Sequence, residues 1–203
     1  MRIIAGQWRG RTLVAPQGDT TRPTTDRVRE SLMSSLASAR GGFEDAIVLD
    51  AFAGSGALGL EALSRGASFV QFFERDGKAS KALSRNLEAL DVGADHASLA
   101  KRDVLSFPPT SPRAPFDLVM LDPPYALEPQ KIADFLSQLD AAGALASDVV
   151  VSYEHARSID IMPYVQACFP RLKHYKHKEA GKVAFDIFGK DDDDEASSHS
   201  GDI

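Results

Sequence analysis

Short apolar runs alternate with amphipathic stretches along most of this chain. After residue 45, strand-like segments at 46–50, 69–74, 97–101, 116–121 and 149–153 are separated by helical-period stretches at 58–65, 78–90 and 129–139. That alternation predicts an α/β fold with a parallel sheet covered on both faces. The two ends differ from this middle. Residues 2–14 read as two short strands about a turn near Gly10, followed by a loop marked by Pro16, Gly18 and Pro23. Thr24, Thr25 or Asp26 can cap a helix carrying Val28, Leu32 and Leu36 at helical spacing, which ends at Gly41-Gly42. Near the other end, 172–177 and 182–188 flank Glu179-Ala180-Gly181 as an antiparallel hairpin. The expected division is a hairpin-and-helix extension over 1–42, a main domain over 43–189 and an acidic, disordered tail over 190–203.

Composition fits that layout. The chain has 203 residues, 43% of them hydrophobic, enough for one domain with a small appendage. A lone cysteine, Cys168, excludes a disulfide framework and a multi-cysteine zinc site; an ordinary buried thiol is expected there. The longest aliphatic runs, such as 47–49 and 149–151, are too short to span a bilayer, and the first ten residues lack a signal-type apolar stretch. A cytoplasmic protein is the expectation.

Net charge is −6, but residues 190–203 contribute −5 of it. Residues 1–40 carry seven arginines against three acids, and residues 171–182 carry five bases against one acid. The flanks are therefore basic and the middle acidic.

The block Asp50-Ala51-Phe52-Ala53-Gly54-Ser55-Gly56-Ala57-Leu58-Gly59 runs from a buried strand through a glycine-rich turn into a helix. In open α/β sheets such turns meet ligands at the carboxyl edge. Gly54 and Gly56 supply positive φ and remove a Cβ that would obstruct that approach. Asp50, Phe52, Gly54, Ser55 and Gly56 are thus cofactor candidates, and Glu74, ending the next strand, suits a ribose diol. The glycine spacing with Glu74 also matches a dinucleotide fingerprint, so an NAD-dependent oxidoreductase competes. Asp50 argues against it, because an acid there repels phosphates and suits the ammonium and sulfonium of S-adenosylmethionine.

A second strand delivers Asp122-Pro123-Pro124-Tyr125 to the same edge. The prolines stiffen the turn and leave its carbonyls free as acceptors. Asp122 and the Pro123 carbonyl can accept both hydrogens of an exocyclic amine, with Tyr125 stacking on an unstacked base. Asp122, Pro123 and Tyr125 are the catalytic candidates, and Asp122 also borders the cofactor. At the end of the third strand, Asp103 can accept from an adenine amine while Val104 packs near the ring; alone this signal is weak.

Arg2, Arg9, Arg11, Arg22, Arg27 and Arg29, with Thr24, are candidates for a phosphate-facing surface. Trp8 is expected to be buried in the appendage rather than stacked on a base. His174 and His177 form one close histidine pair with no cysteine nearby, so no metal is expected. Ser55 lacks nucleophile-elbow spacing, which disfavours hydrolysis.

Taken together, Arg2-Ile3-Ile4-Ala5-Gly6, Arg22 through Glu30, the Asp50 loop, Asp122-Pro123-Pro124-Tyr125 and the closing Ala180-Gly181-Lys182-Val183-Ala184 resemble the bacterial RsmD family of 16S rRNA guanine-N2 methyltransferases. The resemblance covers residues 2 to about 188, and its N-terminal signature is the family-specific part. It implies a Rossmann-like class I S-adenosylmethionine-dependent methyltransferase with a seven-stranded mixed sheet and an antiparallel final strand. It implies S-adenosylmethionine as donor and a guanine in an rRNA hairpin loop on the small ribosomal subunit as acceptor. By position, Asp50, Gly54 and Gly56 would hold the methionine end, Glu74 the ribose and Asp103 the adenine. A monomer is expected. A DNA or other RNA amino methyltransferase, acting on adenine-N6 or cytosine-N4, and a non-catalytic RNA-binding protein are the further alternatives.

Overall fold

The computed structural model describes residues 1–16, 26–168, 170 and 172–189. Its elements in chain order are α1 (Asp26–Arg40), β1 (Ile47–Asp50), α2 (Ala57–Ser64), β2 (Phe69–Phe73), α3 (Gly77–Ala89), β3 (Ala97–Ala100), β4 (Phe116–Leu121), α4 (Pro129–Ala141), β5 (Leu145–Ala156), α5 (Met162–Cys168), β6 (Lys173–Ala180) and β7 (Val183–Gly189). The seven strands form one sheet in the order β3-β2-β1-β4-β5-β7-β6. Strands β1 to β5 pair in parallel, and β7 is inserted antiparallel between β5 and β6. This is the mixed Rossmann-like sheet expected.

Adjacent strand residues face opposite sides, and each side has its own core. Val48, Val70, Phe72, Leu118, Met120 and Phe185 pack beneath α1, α2 and α3. Leu49, Val119, Leu121, Val151 and Phe188 pack beneath α4 and α5. Central strands buried on both faces explain the continuous apolar runs.

Three details differ from the sequence pattern. Strand β5 runs from Leu145 to Ala156 rather than over 149–153, because β7 pairs with its far end as far as Ala156. Strands β6 and β7 extend into the expected turn, leaving Gly181-Lys182 as the loop, with Gly181 at φ +67°. Helix α5 carried too short an apolar pattern to stand out.

The N-terminal segment forms a single bridge, Arg2 to Thr12, rather than two strands. Some of its backbone donors stay within the segment, as Gly10 N to Ile3 O does, but Ile4 N and Ala5 N donate to the two oxygens of buried Glu61 on α2, at 2.8 and 2.9 Å. Gly6 sits so close that a Cβ there would lie 1.7 Å from Ser64 O. Ile3 and Leu13 join the core beneath α1 and α2, and Trp8 packs partly buried against it, as anticipated. Residues 190–203, expected to form the tail, lie outside the described residues, as does the expected cap at Thr24 or Thr25.

Candidate active site

Asp50 ends β1, Glu74 directly follows β2, Asp103 lies just beyond β3 and Asp122 just beyond β4, so all four acids reach the carboxyl edge of the sheet. They line one cleft of about 820 Å³ together with Phe52, Gly54, Ser55 and Val104 on one side and Pro123 and Tyr125 on the other. β1 sits between β2 and β4, where the strand order reverses, and that reversal opens the crevice.

The loop after β1 is held by its own acids. Gly54 N donates to Glu74 Oε2 at 2.7 Å, and Gly59 N donates to Asp50 Oδ2 at 3.0 Å. Gly54 has φ +55° and Gly56 +83°. A Cβ on Gly54 would meet nothing, so this position lies open to the cleft. Gly56 is different: its Cβ would lie 2.3 Å from Leu83 Cδ1, and the residue forms no part of the cleft wall. Its missing side chain serves the contact between α2 and α3 rather than ligand approach, which corrects the sequence reading. Asn86, buried on α3, donates to Ser55 O and clasps the backbone of Val14 through both ends of its amide. No motif marked it, and it ties the N-terminal segment to the loop after β1.

Electrostatically the cleft sets four acids, Asp50, Glu74, Asp103 and Asp122, against Arg29, Arg75 and Arg102. Burial pushes Asp50 up to about 7, against the Gly59 hydrogen bond and with help from Glu74. Asp122 keeps part of its surface open to the cleft, yet removal from bulk water and the negative neighbours Glu154 and Asp50 push it well above the usual carboxylate range. Burial also raises Glu74, although the N–H groups of Asp76 and Gly54 offset part of this. Glu154 on β5 was not singled out by any motif. It is buried and accepts from Tyr125 Oη at 3.2 Å. Asp103 is the exception among the acids: burial opposes its ionisation, but Leu105 N and the Arg75 guanidinium, at 3.0 Å, hold it below its ordinary value.

The arginines separate into groups. Arg2, Arg9, Arg11 and Arg27 are exposed, with Arg2 paired to Asp26 and Arg11 donating to Ala89 O. Arg22 and Thr24 lie outside the described residues. Arg29 is 1% exposed and lines the cleft, so its reading as a phosphate-facing surface residue is corrected. It occupies the inner face of α1 with Leu32, Met33 and Leu36. Its Nη2 donates to Arg2 O and Asp26 Oδ1, whereas Nε and Nη1 are buried without a protein partner. These two enclosed nitrogens behind the cleft wall are spare donors for an acceptor group.

Away from the cleft, His174 and His177 do not stand alone as their spacing suggested. The sheet brings His155 and Asp186 against them, a grouping that could hold a metal ion. The side chain of Cys168 lies outside the described residues. Among the described residues, no helix is long and apolar enough to cross a membrane.

A family model described as "Conserved hypothetical protein 95" matches residues 1–189. The chain is 37% identical over 191 residues to the protein named ribosomal RNA small subunit methyltransferase D of Escherichia coli strain K12, spanning 94% of this chain and 90% of that protein. A Haemophilus influenzae protein of the same name is 42% identical over 128 residues, spanning 62% of this chain and 64% of that one. The solved structure of Escherichia coli yhhF superposes with a TM-score of 0.77 at 36% identity, covering 94% of this chain and 98% of that one. The magnesium protoporphyrin IX methyltransferase of Synechocystis, solved with SAM bound, shares the fold at a TM-score of 0.62 and 14% identity, over 86% of this chain and 87% of that one.

Proposed function

The chain belongs to the RsmD family, whose model spans residues 1–189, and on that premise we propose that it methylates 16S ribosomal RNA. The methyl group comes from S-adenosylmethionine, and the acceptor is the exocyclic N2 of a guanine in a hairpin loop of the small ribosomal subunit, with the enzyme acting as a monomer. The observation that supports this reading best is the placement of Asp122, Pro123 and Tyr125 on the same cleft as Asp50 and Glu74.

The donor set fits the cofactor. Buried carboxylates with raised proton affinity call for a cationic ligand, and the two orphaned nitrogens of Arg29 call for a carboxylate. S-adenosylmethionine has both, and when bound it supplies an electrophilic methyl on a sulfonium. Asp50 and Gly54 hold its methionine end, with Arg29 taking the carboxylate. Glu74 accepts from the ribose hydroxyls on lone pairs not used by Gly54 and Asp76. Asp103 faces the adenine amine beside Val104.

At the other side, Tyr125 is exposed at the cleft lip and stacks on the extruded guanine. Asp122 and the Pro123 carbonyl accept the two N2 hydrogens, which turns the nitrogen lone pair toward the methyl. When bound, the cofactor would supply the methyl group, an N2–C bond replacing its S–C bond, and Asp122 would pass the surplus N2 proton to solvent. Rate enhancement comes mainly from orientation and fixed dipoles. The exposed Arg2, Arg9, Arg11 and Arg27, with Arg22 and Thr24, contact the RNA backbone.

The test is transfer of a tritiated methyl group to small subunits lacking the modification, with the labelled nucleoside identified by mass spectrometry. N2-methylguanosine in 16S rRNA is expected, with loss of at least about 100-fold in Asp122→Ala. Label on adenine or cytosine, or no label in RNA, overturns the proposal.

A further inference from the structure

Three strands of the closing hairpin region bring ionisable side chains to one place outside the cleft. Asp186 on β7 lies opposite His177 on β6 and opposite Tyr153 on β5, and His155 is two residues beyond Tyr153 on the same face. His155 Nε2 lies 2.7 Å from Asp186 Oδ2, and His177 Nδ1 lies 2.9 Å from Oδ1. One ligand atom from each of the three falls within 4.8 Å of the others. His174 Nε2 touches the same Oδ1 at 2.5 Å.

We propose that His155, His177 and Asp186 bind a divalent transition-metal ion of the zinc class. In this arrangement His174 orients the carboxylate and solvent completes the coordination. Two imidazoles and one carboxylate without thiolate form a nitrogen–oxygen donor set suited to such ions.

Outer contacts already orient the two rings. His155 Nδ1 lies 3.0 Å from Ala156 O, which directs Nε2 inward. His177 Nε2 lies 3.8 Å from Glu179 Oε1, beyond a hydrogen bond, so this carboxylate supports an inward Nδ1 through charge alone. Carbonyl and carboxylate partners on the far nitrogen are the usual support for metal-bound histidine. His155 is 2% exposed and both its ring nitrogens face acceptors. A neutral imidazole has one N–H, so one of those contacts requires a second proton or a metal ion. A bound ion would take the place of that proton and tie β5, β6 and β7 together at one point. His177, 45% exposed, leaves a path for the ion from solvent.

Strand β6 is also irregular at this site. His174 and His177 are three residues apart, and in a regular strand they would face opposite sides. A break in register between His174 and Lys176 inserts an extra residue and brings both rings onto Asp186. Lys178, on the opposite face, reaches Ser31 on α1 instead.

The test uses the full chain without a histidine tag, stripped with chelator and titrated with Zn²⁺ by calorimetry. A parallel titration uses Co²⁺, read by its ligand-field absorption. One ion per chain is expected, with a tetrahedral or five-coordinate cobalt spectrum and a higher melting temperature in the metal-loaded protein. His177→Ala removes a half-exposed ligand and should abolish the cobalt bands while the stripped variant melts as the stripped wild type does. His174→Ala should weaken binding by about 10- to 100-fold without changing stoichiometry. Absence of one-to-one binding in the wild type, or unchanged bands in His177→Ala, overturns the proposal. Neither result bears on methyl transfer.

Discussion

The hydroxyl of Tyr125 donates to Glu154 Oε1 at 3.2 Å, so a buried acid on β5 fixes the ring that lies exposed at the lip of the cleft. The contact separates ring from hydroxyl. Tyr125→Phe keeps the stacking surface and should change KM for RNA only a few-fold. Tyr125→Ala removes it and should cost about 1–3 kcal/mol of RNA binding. Cofactor affinity, measured by calorimetry without RNA, should be unchanged in both. Equal effects of the two substitutions would show that the ring does not stack.

Asp50 makes cofactor binding depend on pH. Its carboxyl is raised from 3.8 to about 7 by burial, so near pH 6 the free enzyme holds a proton there. A cationic ligand favours the ionised form and expels that proton. Affinity should therefore rise with pH, by at most about tenfold per unit, and level off above about 7. Calorimetry in buffers of different ionisation enthalpy should detect the proton released below that point.

The same group affects stability with the opposite slope. Between about pH 4 and 7 the folded protein keeps a proton that the unfolded chain has lost, so this contribution to stability falls as pH rises through that window. In Asp50→Asn the contribution should vanish, and denaturant midpoints measured at pH 5 and pH 7.5 should differ less in the wild-type direction than they do for the parent.

Arg29 and the surface arginines should separate by assay. Arg29→Met should weaken S-adenosylmethionine at least about tenfold, because a charge-assisted contact is worth roughly 1.5–3 kcal/mol. It should leave the salt dependence of RNA binding unchanged. Arg9→Gln or Arg27→Gln should do the reverse, lowering the slope of log K against log salt by about 1 each.

Glu61 anchors the N-terminal segment. It is fully buried, accepts from Ile4 N and Ala5 N, and pairs with Arg65 at 2.8 Å. Glu61→Ala strands the two backbone donors, leaves Arg65 with Glu30 alone, and should destabilise the protein by about 3–5 kcal/mol, read from urea unfolding. Amide exchange at Ile4 and Ala5 should accelerate.

Much of the site was legible because its chemistry lies at strand ends, where apolar runs stop at an acid: Asp50, Glu74 and Asp122. Arg29 was misread because it was grouped with neighbouring arginines by charge. Its helical phase was the better guide, since 29, 32, 33 and 36 follow the i, i+3, i+4, i+7 spacing of one face. Glu154 lies in a strand buried on both faces, so any residue there is enclosed whatever its polarity. The contact of His155 with Asp186 depends on strand order and register, which local sequence does not encode.

The irregularity in β6 acts on phase rather than on any one side chain. Residues before it and residues after it are set half a period apart, so the strand's length at this point is itself a specification. Replacing Tyr175 would alter a ring lying against Gly189, whereas pairing β6 regularly through Tyr175, with every residue kept, would turn His174 away from Asp186 and exchange the faces of everything before it.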